Sequence, residues 1–155
     1  MIKNTLLISI FAISFLFPTT AFCQDSLHKA AYKGDIELVR KILKNKVNPD
    51  ERDSFGGTAL HAAMFQKNTE VITLLINYGF DVNAQGLSNG YTPLHDAVWA
   101  NNLEAVKILF KYGARTDIGG KDGLTPYEKA LKENKKEIVE YFKSRGVLGP
   151  GRVGT

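Results

Sequence analysis

The histidines are the residues best able to do chemistry in this sequence, and one of them has a carboxylate beside it. The chain contains three histidines, and His95 is followed at once by Asp96 in the stretch GYTPLHDAV, residues 90–98. A positioned imidazole is the commonest proton-transfer group in proteins, and it is also a frequent metal ligand. The pair is therefore open to three interpretations: a catalytic dyad, part of a metal site, or a structural contact.

An internal repeat separates these interpretations. Four segments align without an internal gap, and their first residues are 33, 34 and 33 positions apart. The segments begin at Asp25, Thr58, Thr92 and Thr125. The histidines occupy the same position in three successive segments: His28, His61 and His95. Recurrence at the repeat spacing is expected of a structural role, and Asp96 has no carboxylate counterpart in the other segments, so we favour the structural interpretation over catalysis.

Each segment predicts two helices joined by a turn. Threonine is a good N-cap for the first helix, and in two segments proline follows where no amide donor is needed. The second helix carries apolar residues at helical spacing, as at Val71, Ile72, Leu75 and Ile76, which gives it one buried face. The predicted N-caps are Thr58, Thr92 and Thr125. Glycines supply the left-handed C-cap positions: Gly79, Gly113 and Gly146.

This pattern resembles the ankyrin repeat family, whose period is 33 residues and whose signature is T-P-L-H-x-A. The signature is present as TPLHDA at residues 92–97, and GFDVNA at residues 79–84 is similar to the family's G-A-D-V-N-A. The resemblance implies an all-α solenoid of about four repeats, including two capping repeats, over residues 24–146. It also implies that each histidine hydrogen-bonds the threonine of its own motif and the backbone of the neighbouring turn. Residues 147–155 are predicted to form a flexible tail.

Two departures from the pattern carry structural predictions. Lys143 occupies an inward position that is apolar in the earlier repeats, which suits a terminal repeat with one face in water. The stretch between Asn83 and Thr92 is one residue longer than its counterpart, so we expect an altered turn there.

The first 23 residues are typical of a secretory signal peptide. The largely apolar run Leu6–Phe17 carries no charge and is shorter than the roughly 20 residues that a membrane-spanning helix needs. Nothing later in the chain is apolar for long enough. We therefore predict a removed export signal over residues 1–23 and no transmembrane segment.

The cleavage site is predicted before Gln24, because Ala21 and Cys23 are small residues at the third and first positions before it. The mature chain would then contain no cysteine and no disulfide. The alternative is a lipoprotein anchored through Cys23, which Phe22 disfavours because such sites usually have a small residue there. The predicted location is the periplasm of a Gram-negative bacterium.

Composition and motifs argue against most enzyme classes. With every histidine assigned to the fold and no cysteine in the mature chain, no histidine remains for a catalytic triad, a general base or a zinc site, and no thiol nucleophile remains. Asp50 and Glu51 are adjacent acids, but such pairs in a turn usually form a solvated loop. A formal net charge of +4 is too weak to indicate nucleic-acid binding. We predict a protein that is not an enzyme and has no cofactor or metal.

The resemblance implies that the concave face, formed by first helices and turn tips, binds another protein. An aromatic residue falls at the eighth position of three successive repeats. We expect these residues to form an exposed row on the concave face; the alternative is that they pack between the repeats. The aromatic row is Tyr32, Phe65 and Trp99. The turn tips add Phe55, Tyr91 and Leu124, and a polar rim is expected from Lys33, Gln66 and Lys132.

Export and repeat architecture together suggest an inhibitor or immunity protein, monomeric before complex formation, that binds a periplasmic or exported enzyme such as a cell-wall hydrolase. Two alternatives stay open. One is a scaffold that stabilises a periplasmic enzyme of oxidative defence, and the other, from a different class, is an enzyme that works with carboxylates alone.

Overall fold

The computed structural model describes residues 27–147 and 149, and this part of the chain is built from antiparallel helix pairs. The first helices of the second, third and fourth pairs pack on one another in order, and the second helices of all four pairs pack on one another to form the other layer. The predicted all-α solenoid is confirmed. The pairs are α1 (27–33) with α2 (Ile36–Leu43), α3 (Ala59–Ala62) with α4 (Thr69–Tyr78), α5 (Pro93–Trp99) with α6 (Leu103–Lys111), and α7 (Pro126–Lys132) with α8 (Lys136–Ser144).

The first helices begin where the sequence places their caps. The N-cap residues of α3, α5 and α7 have extended backbones, and proline opens two of these helices. In α7, Glu128 takes the place of the histidine, and its carboxylate accepts hydrogen bonds from the Thr125 amide and hydroxyl at 2.9 and 2.8 Å. Gly79 ends α4 with φ of 118°, a left-handed conformation that glycine adopts without strain. The caps are Thr58, Thr92 and Thr125.

Asparagine side chains cap two of the second helices and also join neighbouring repeats. The Asn68 side chain accepts from the Glu70 amide at the start of α4, while its Nδ2 donates to the Gly34 carbonyl at 3.1 Å. Asn102 does the same at the start of α6, and its Nδ2 donates to carbonyls of the preceding repeat, Met64 at 3.0 Å and Gln66 at 2.8 Å. Each bond satisfies a backbone oxygen at the end of a first helix and fixes the stacking of one repeat on the next.

The core lies between the two helix layers and is closed by aromatic rings at the C-terminal end. Phe142 is fully buried and packs edge-on against Phe110 and Tyr127, with ring centroids 5.3 and 5.7 Å apart. Lys143, in contrast, is exposed and pairs with Glu140 at 2.8 Å, so the terminal helix turns a polar side to solvent. The buried leucines that join the layers are Leu27, Leu43, Leu60, Leu75, Leu94 and Leu109.

The turn between the second and third repeats is altered, as the extra residue predicts. The first and third turns are closed by bonds from Asp53 N to Gly57 O and from Gly120 N to Leu124 O, both 2.9 Å. The middle turn is closed from Gly86 N to the Tyr91 carbonyl at 2.7 Å and encloses one more residue. The insertion is accommodated at the tip, where the chain is free to bulge into solvent.

The proposed signal peptide, its cleavage site and nearly all of the C-terminal tail lie outside the described residues. Within residues 27–147 and 149, no helix combines the length and hydrophobicity that crossing a bilayer requires.

Candidate binding groove

The histidine of the second repeat is held at both ring nitrogens. His61 Nδ1 accepts the Thr58 amide at 3.1 Å and lies 2.9 Å from the Thr58 hydroxyl, and Nε2 lies 3.0 Å from the Tyr91 carbonyl. Because the amide can only donate, Nδ1 carries no proton, and the ring is the neutral tautomer with its proton on Nε2. Burial lowers the pKa of His61 to about 4, so the ring stays neutral at physiological pH.

His95 repeats this arrangement one unit further along. Its Nδ1 accepts the Thr92 amide at 3.1 Å, and its Nε2 lies 3.0 Å from the Leu124 carbonyl. Burial lowers its pKa as well. His28 Nε2 lies 3.2 Å from the carbonyl of Gly57, which is the equivalent residue of its neighbouring turn. The histidines thus link each repeat to the next turn.

This geometry bears directly on the pair His95 and Asp96. Both nitrogens of the imidazole point to Thr92 and Leu124, and within the described part of the chain no hydrogen bond joins the ring to the neighbouring carboxylate. The two side chains therefore do not form a dyad in which one group orients the other. Among residues 27–147 and 149, no group of three or more His, Cys, Asp or Glu side chains is arranged to hold a metal ion.

The aromatic row lies on the concave side and is open to solvent. Phe65 lies between the other two rings, 6.1 Å from Tyr32 and 5.5 Å from Trp99 between centroids, the second pair meeting edge to face. The exposed fractions are 57% for Tyr32, 39% for Phe65 and 57% for Trp99. The rings pack on one another across three repeats without entering the core, so they present a continuous apolar surface.

This row borders a concave cavity of about 780 Å³ between the turn tips and the first helices. The floor is formed by residues of α1, α3 and α5, and the opposite wall by the first two turns. We refer to this cavity, with the aromatic row on its side, as the groove. Its residues most relevant to binding are Tyr32, Asp53, Phe55, Phe65, Asp96 and Trp99.

Asp96 is an unusual component of the groove, because it is a carboxyl group that is only 7% exposed. Burial, together with the negative charge of Asp53, raises the pKa of Asp96 to about 7. No hydrogen bond to the Asp96 carboxylate is formed by any other described residue. The repeat motif does not indicate a binding role for Asp96; the signal in the sequence is its spacing, three residues before Trp99 on the same helix face.

The predicted rim residues do not all lie at the rim. Lys33 and Lys132 are exposed at the ends of α1 and α7. The placement of Gln66 on the rim is wrong, since its side chain is buried and its Nε2 donates to the carbonyls of Ala63 and Asn68 at 3.0 and 2.9 Å. Gln66 satisfies the backbone where α3 ends and the chain turns toward α4.

The three turn-tip residues differ in how much surface they offer. Phe55 is exposed, whereas Tyr91 and Leu124 are half-buried. Leu87, which sequence reasoning did not assign to binding, is also exposed at the tip of the longer turn. It lies close to Phe55, because its amide donates to the Gly56 carbonyl at 2.9 Å. The signal that could have identified Leu87 is the one-residue insertion.

Tyr91 is tied into a polar cluster that braces the third and fourth repeats. Its hydroxyl donates to Asp122 Oδ2 at 2.7 Å and accepts from Lys129 Nζ at 2.8 Å. Lys129 also lies over the Tyr91 ring at 5.0 Å and pairs with Glu133 at 3.1 Å. The Tyr91 ring stacks on His95 with centroids 4.9 Å apart. Tyr91 therefore supports the groove wall and offers a partner little more than its outer edge.

Comparison with known proteins shows which family model and which proteins this chain is similar to. The family model described as ankyrin repeats (3 copies) matches residues 27–119. The tyrosine-protein kinase Shark of Drosophila melanogaster is 36% identical over 68 residues, which is 44% of this chain and 7% of that protein. Alpha-latrotoxin-Lg1a of Latrodectus geometricus is 38% identical over 72 residues, 46% of this chain and 5% of the toxin. The potassium channel AKT2/3 of Arabidopsis thaliana is 36% identical over 58 residues, 37% of this chain and 7% of the channel. The similarity thus spans only a small fraction of these relatives.

Proposed function

This chain belongs to the ankyrin-repeat family, a family of protein-interaction modules, and we propose that its groove binds an enzyme in the periplasm and inhibits it. In this proposal the protein protects the cell that makes it, and a cell-wall hydrolase is the leading class of target. The chain itself is not an enzyme and needs no cofactor.

The observation that carries the proposal is the exposed aromatic row. Three neighbouring aromatic side chains in solvent are costly for solubility unless a partner covers them. A buried aromatic ring removes roughly 150 to 250 Å² from water, and aromatic anchors commonly dominate the energy of protein interfaces. Tyr32, Phe65 and Trp99 are therefore the residues expected to contribute most to binding.

A binding role rather than a catalytic one is supported by the state of the titratable groups. The imidazoles of His61 and His95 are neutral and are engaged in holding the turns. Asp50, one of the adjacent acids considered above, is exposed and forms an ion pair with Arg52. These contacts give the histidines a structural task, and neither Asp50 nor Glu51 lines the groove.

The periplasmic location rests on the sequence of residues 1–23, with their apolar run and the small residues before Gln24. A small exported binding protein can inhibit an enzyme that would otherwise harm the cell that makes it. The scaffold alternative, in which the partner is an oxidative-defence enzyme that gains stability, uses the same groove and differs only in the effect on the partner.

The test is to capture the partner from a periplasmic extract of the source cells, identify it, and assay it with and without this protein. Inhibition of the captured enzyme is the expected result. An enzyme that keeps its activity and gains thermal stability would instead establish the scaffold. Turnover by the purified chain on a panel of hydrolase substrates, lost on changing one carboxylate, would overturn the binding role in favour of catalysis.

A further inference from the structure

The Asp96 carboxyl group has no task in the fold. It is only 7% exposed, yet none of the other described residues hydrogen-bonds to it. The same position in the second repeat is occupied by Ala62, so the solenoid does not need a polar group there. The first and fourth repeats have Lys29 and Lys129 instead. Among the described residues no buried side-chain oxygen lacks a hydrogen-bond partner, so the Asp96 carboxyl oxygens still reach the water of the groove. A largely buried acid costs stability when it ionises without a cation beside it, and no cationic side chain of the described chain pairs with Asp96.

The surroundings of Asp96 suit a cationic side chain. Asp96 lines the groove together with Phe65 and Trp99, whose rings meet edge to face at 5.5 Å. Aromatic faces attract cations, and the attraction increases when water is excluded. Asp53 lines the same cavity and brings a second carboxylate, held in the first turn by the amides of Phe55 and Gly57 at 2.9 Å. Negative charge and aromatic faces thus border one cavity.

We propose that the partner inserts an arginine side chain into the groove, where the guanidinium pairs with Asp96 and stacks on Trp99 or Phe65. This inference rests on the proposed function, because it assigns the chemistry of the partner segment that the groove binds. Arginine fits better than lysine, since its planar head presents a fork of donors to a carboxylate and stacks on aromatic rings. Apolar residues beside that arginine would cover the rest of the aromatic row.

The other charged and titratable groups of the groove limit where the arginine can lie. Lys29 lines the end of the cavity formed by α1, so the guanidinium belongs at the α5 end, beside Asp96. His61 is neutral at physiological pH, because burial lowers its pKa to about 4, and it does not repel a cation. The titratable and charged groups that line the cavity with Asp96 are His28, Lys29, Tyr32, Asp53 and His61.

The test uses the fluorescence of Trp99, which is the single tryptophan of the chain and lies in the groove. The probes are three blocked tripeptides with leucine on each side of a central arginine, citrulline or lysine. Citrulline has nearly the shape of arginine without its charge. Each probe is titrated at pH 8 into the wild-type protein, into Asp96→Asn, and into Asp117→Asn, a control that removes an exposed carboxylate outside the groove.

We expect the wild type and Asp117→Asn to bind the arginine probe about tenfold or more tightly than the citrulline probe. Asp96→Asn should lose this preference while remaining folded, because the amide has the same shape as the carboxyl group. Equal binding of both probes by the wild type, absence of binding, or a preference retained in Asp96→Asn would overturn the inference. Tighter binding of the lysine probe would overturn the choice of arginine.

Partner binding separates failure of this inference from failure of the proposed function. If Asp96→Asn binds the captured periplasmic partner as the wild type does, while Phe65→Ala and Trp99→Ala do not, the groove binds its partner without a buried ion pair and the inference is wrong. If neither alanine variant weakens partner binding, the proposed function of the groove is itself wrong.

Discussion

Replacing Asp96 with asparagine should stabilise the free protein at alkaline pH and leave its stability nearly unchanged at pH 4. The carboxyl group is buried in the groove, and burial together with the charge of Asp53 raises its pKa from 3.8 to about 7. The folded state therefore holds a proton that the unfolded chain releases. Between these two pH values stability must fall as pH rises, because the folded state binds more protons than the unfolded state.

The size of the effect follows from the shift in pKa. One pKa unit corresponds to about 1.4 kcal/mol, so the shift amounts to about 4 kcal/mol at full ionisation. This cost is absent below the unfolded pKa and complete above the folded one. An asparagine has the shape of the protonated carboxyl group and does not ionise. The variant should therefore gain up to about 4 kcal/mol over the wild type at pH 8.5, and close to nothing at pH 4.

His61 has the opposite pH dependence, which affects how the stability of each protein changes with pH but cancels in the difference between them. Burial lowers its pKa from 6.5 to about 4, so its contribution to stability is complete above pH 6.5 and is lost as pH falls toward 4. In the wild type this loss is partly offset by protonation of Asp96 over the same range. Asp96→Asn removes the offset, and its stability should fall more steeply with acid than that of the wild type.

The assay is urea unfolding at a series of pH values between 4 and 8.5, followed by circular dichroism, for the wild type, Asp96→Asn and the exposed control Asp117→Asn. The expected signature is a gain for Asp96→Asn that grows with pH, absent from the control. A gain of the same size at every pH, or no gain at pH 8.5, would show that the carboxyl group is not buried as the structure places it.

Three further predictions concern the histidines, the aromatic row and the N-terminus. His95→Ala should lower the free energy of unfolding, measured by urea unfolding, by roughly 1 to 3 kcal/mol, because it leaves the Thr92 amide and the Leu124 carbonyl without their buried partner. Binding of the partner protein should survive under conditions where the variant is folded. Unchanged stability with binding lost would refute the structural role of His95. Trp99→Ala should change the melting temperature little, since the ring is 57% exposed, but should weaken partner binding; a large loss of stability with binding retained would assign the ring to packing. Fractionation and N-terminal mass analysis should find a mature chain that begins at Gln24 in the soluble periplasmic fraction, and a diacylglyceryl group on Cys23 would contradict this.

The helices and the links between repeats could be predicted from sequence because their causes are local or periodic. Thr92 and Pro93 determine where α5 begins, and the spacing of Thr58, Thr92 and Thr125 gives the register of each repeat. A repeat that is one residue longer than its neighbours must hold the extra residue in a turn, because the helices keep their packing. The bulged turn that ends at Tyr91 could therefore also be anticipated.

The environment of individual side chains in the groove could not be predicted in the same way. The position of Gln66 depends on how the chain leaves α3 through a 3₁₀ turn, Ala63–Phe65, which exposes carbonyls that the amide then satisfies. Whether Asp96 is buried depends on the packing of the neighbouring repeats and of the turn that carries Asp53, none of which is local in sequence. Exposure of the aromatic row likewise depends on how far each repeat is offset from the next.

The most direct test of the proposed function compares two exposed apolar residues on different faces. Phe65 in the groove and Leu38 on α2 are both 39% exposed, and Leu38 does not line the groove. The measurement is the affinity of the captured periplasmic partner for Phe65→Ala and for Leu38→Ala, with the melting temperature of each variant as a check on folding. We expect Phe65→Ala to bind about tenfold or more weakly than the wild type and Leu38→Ala to bind as the wild type does. Equal affinity of both variants, or a loss confined to Leu38→Ala, would contradict a binding site in the groove.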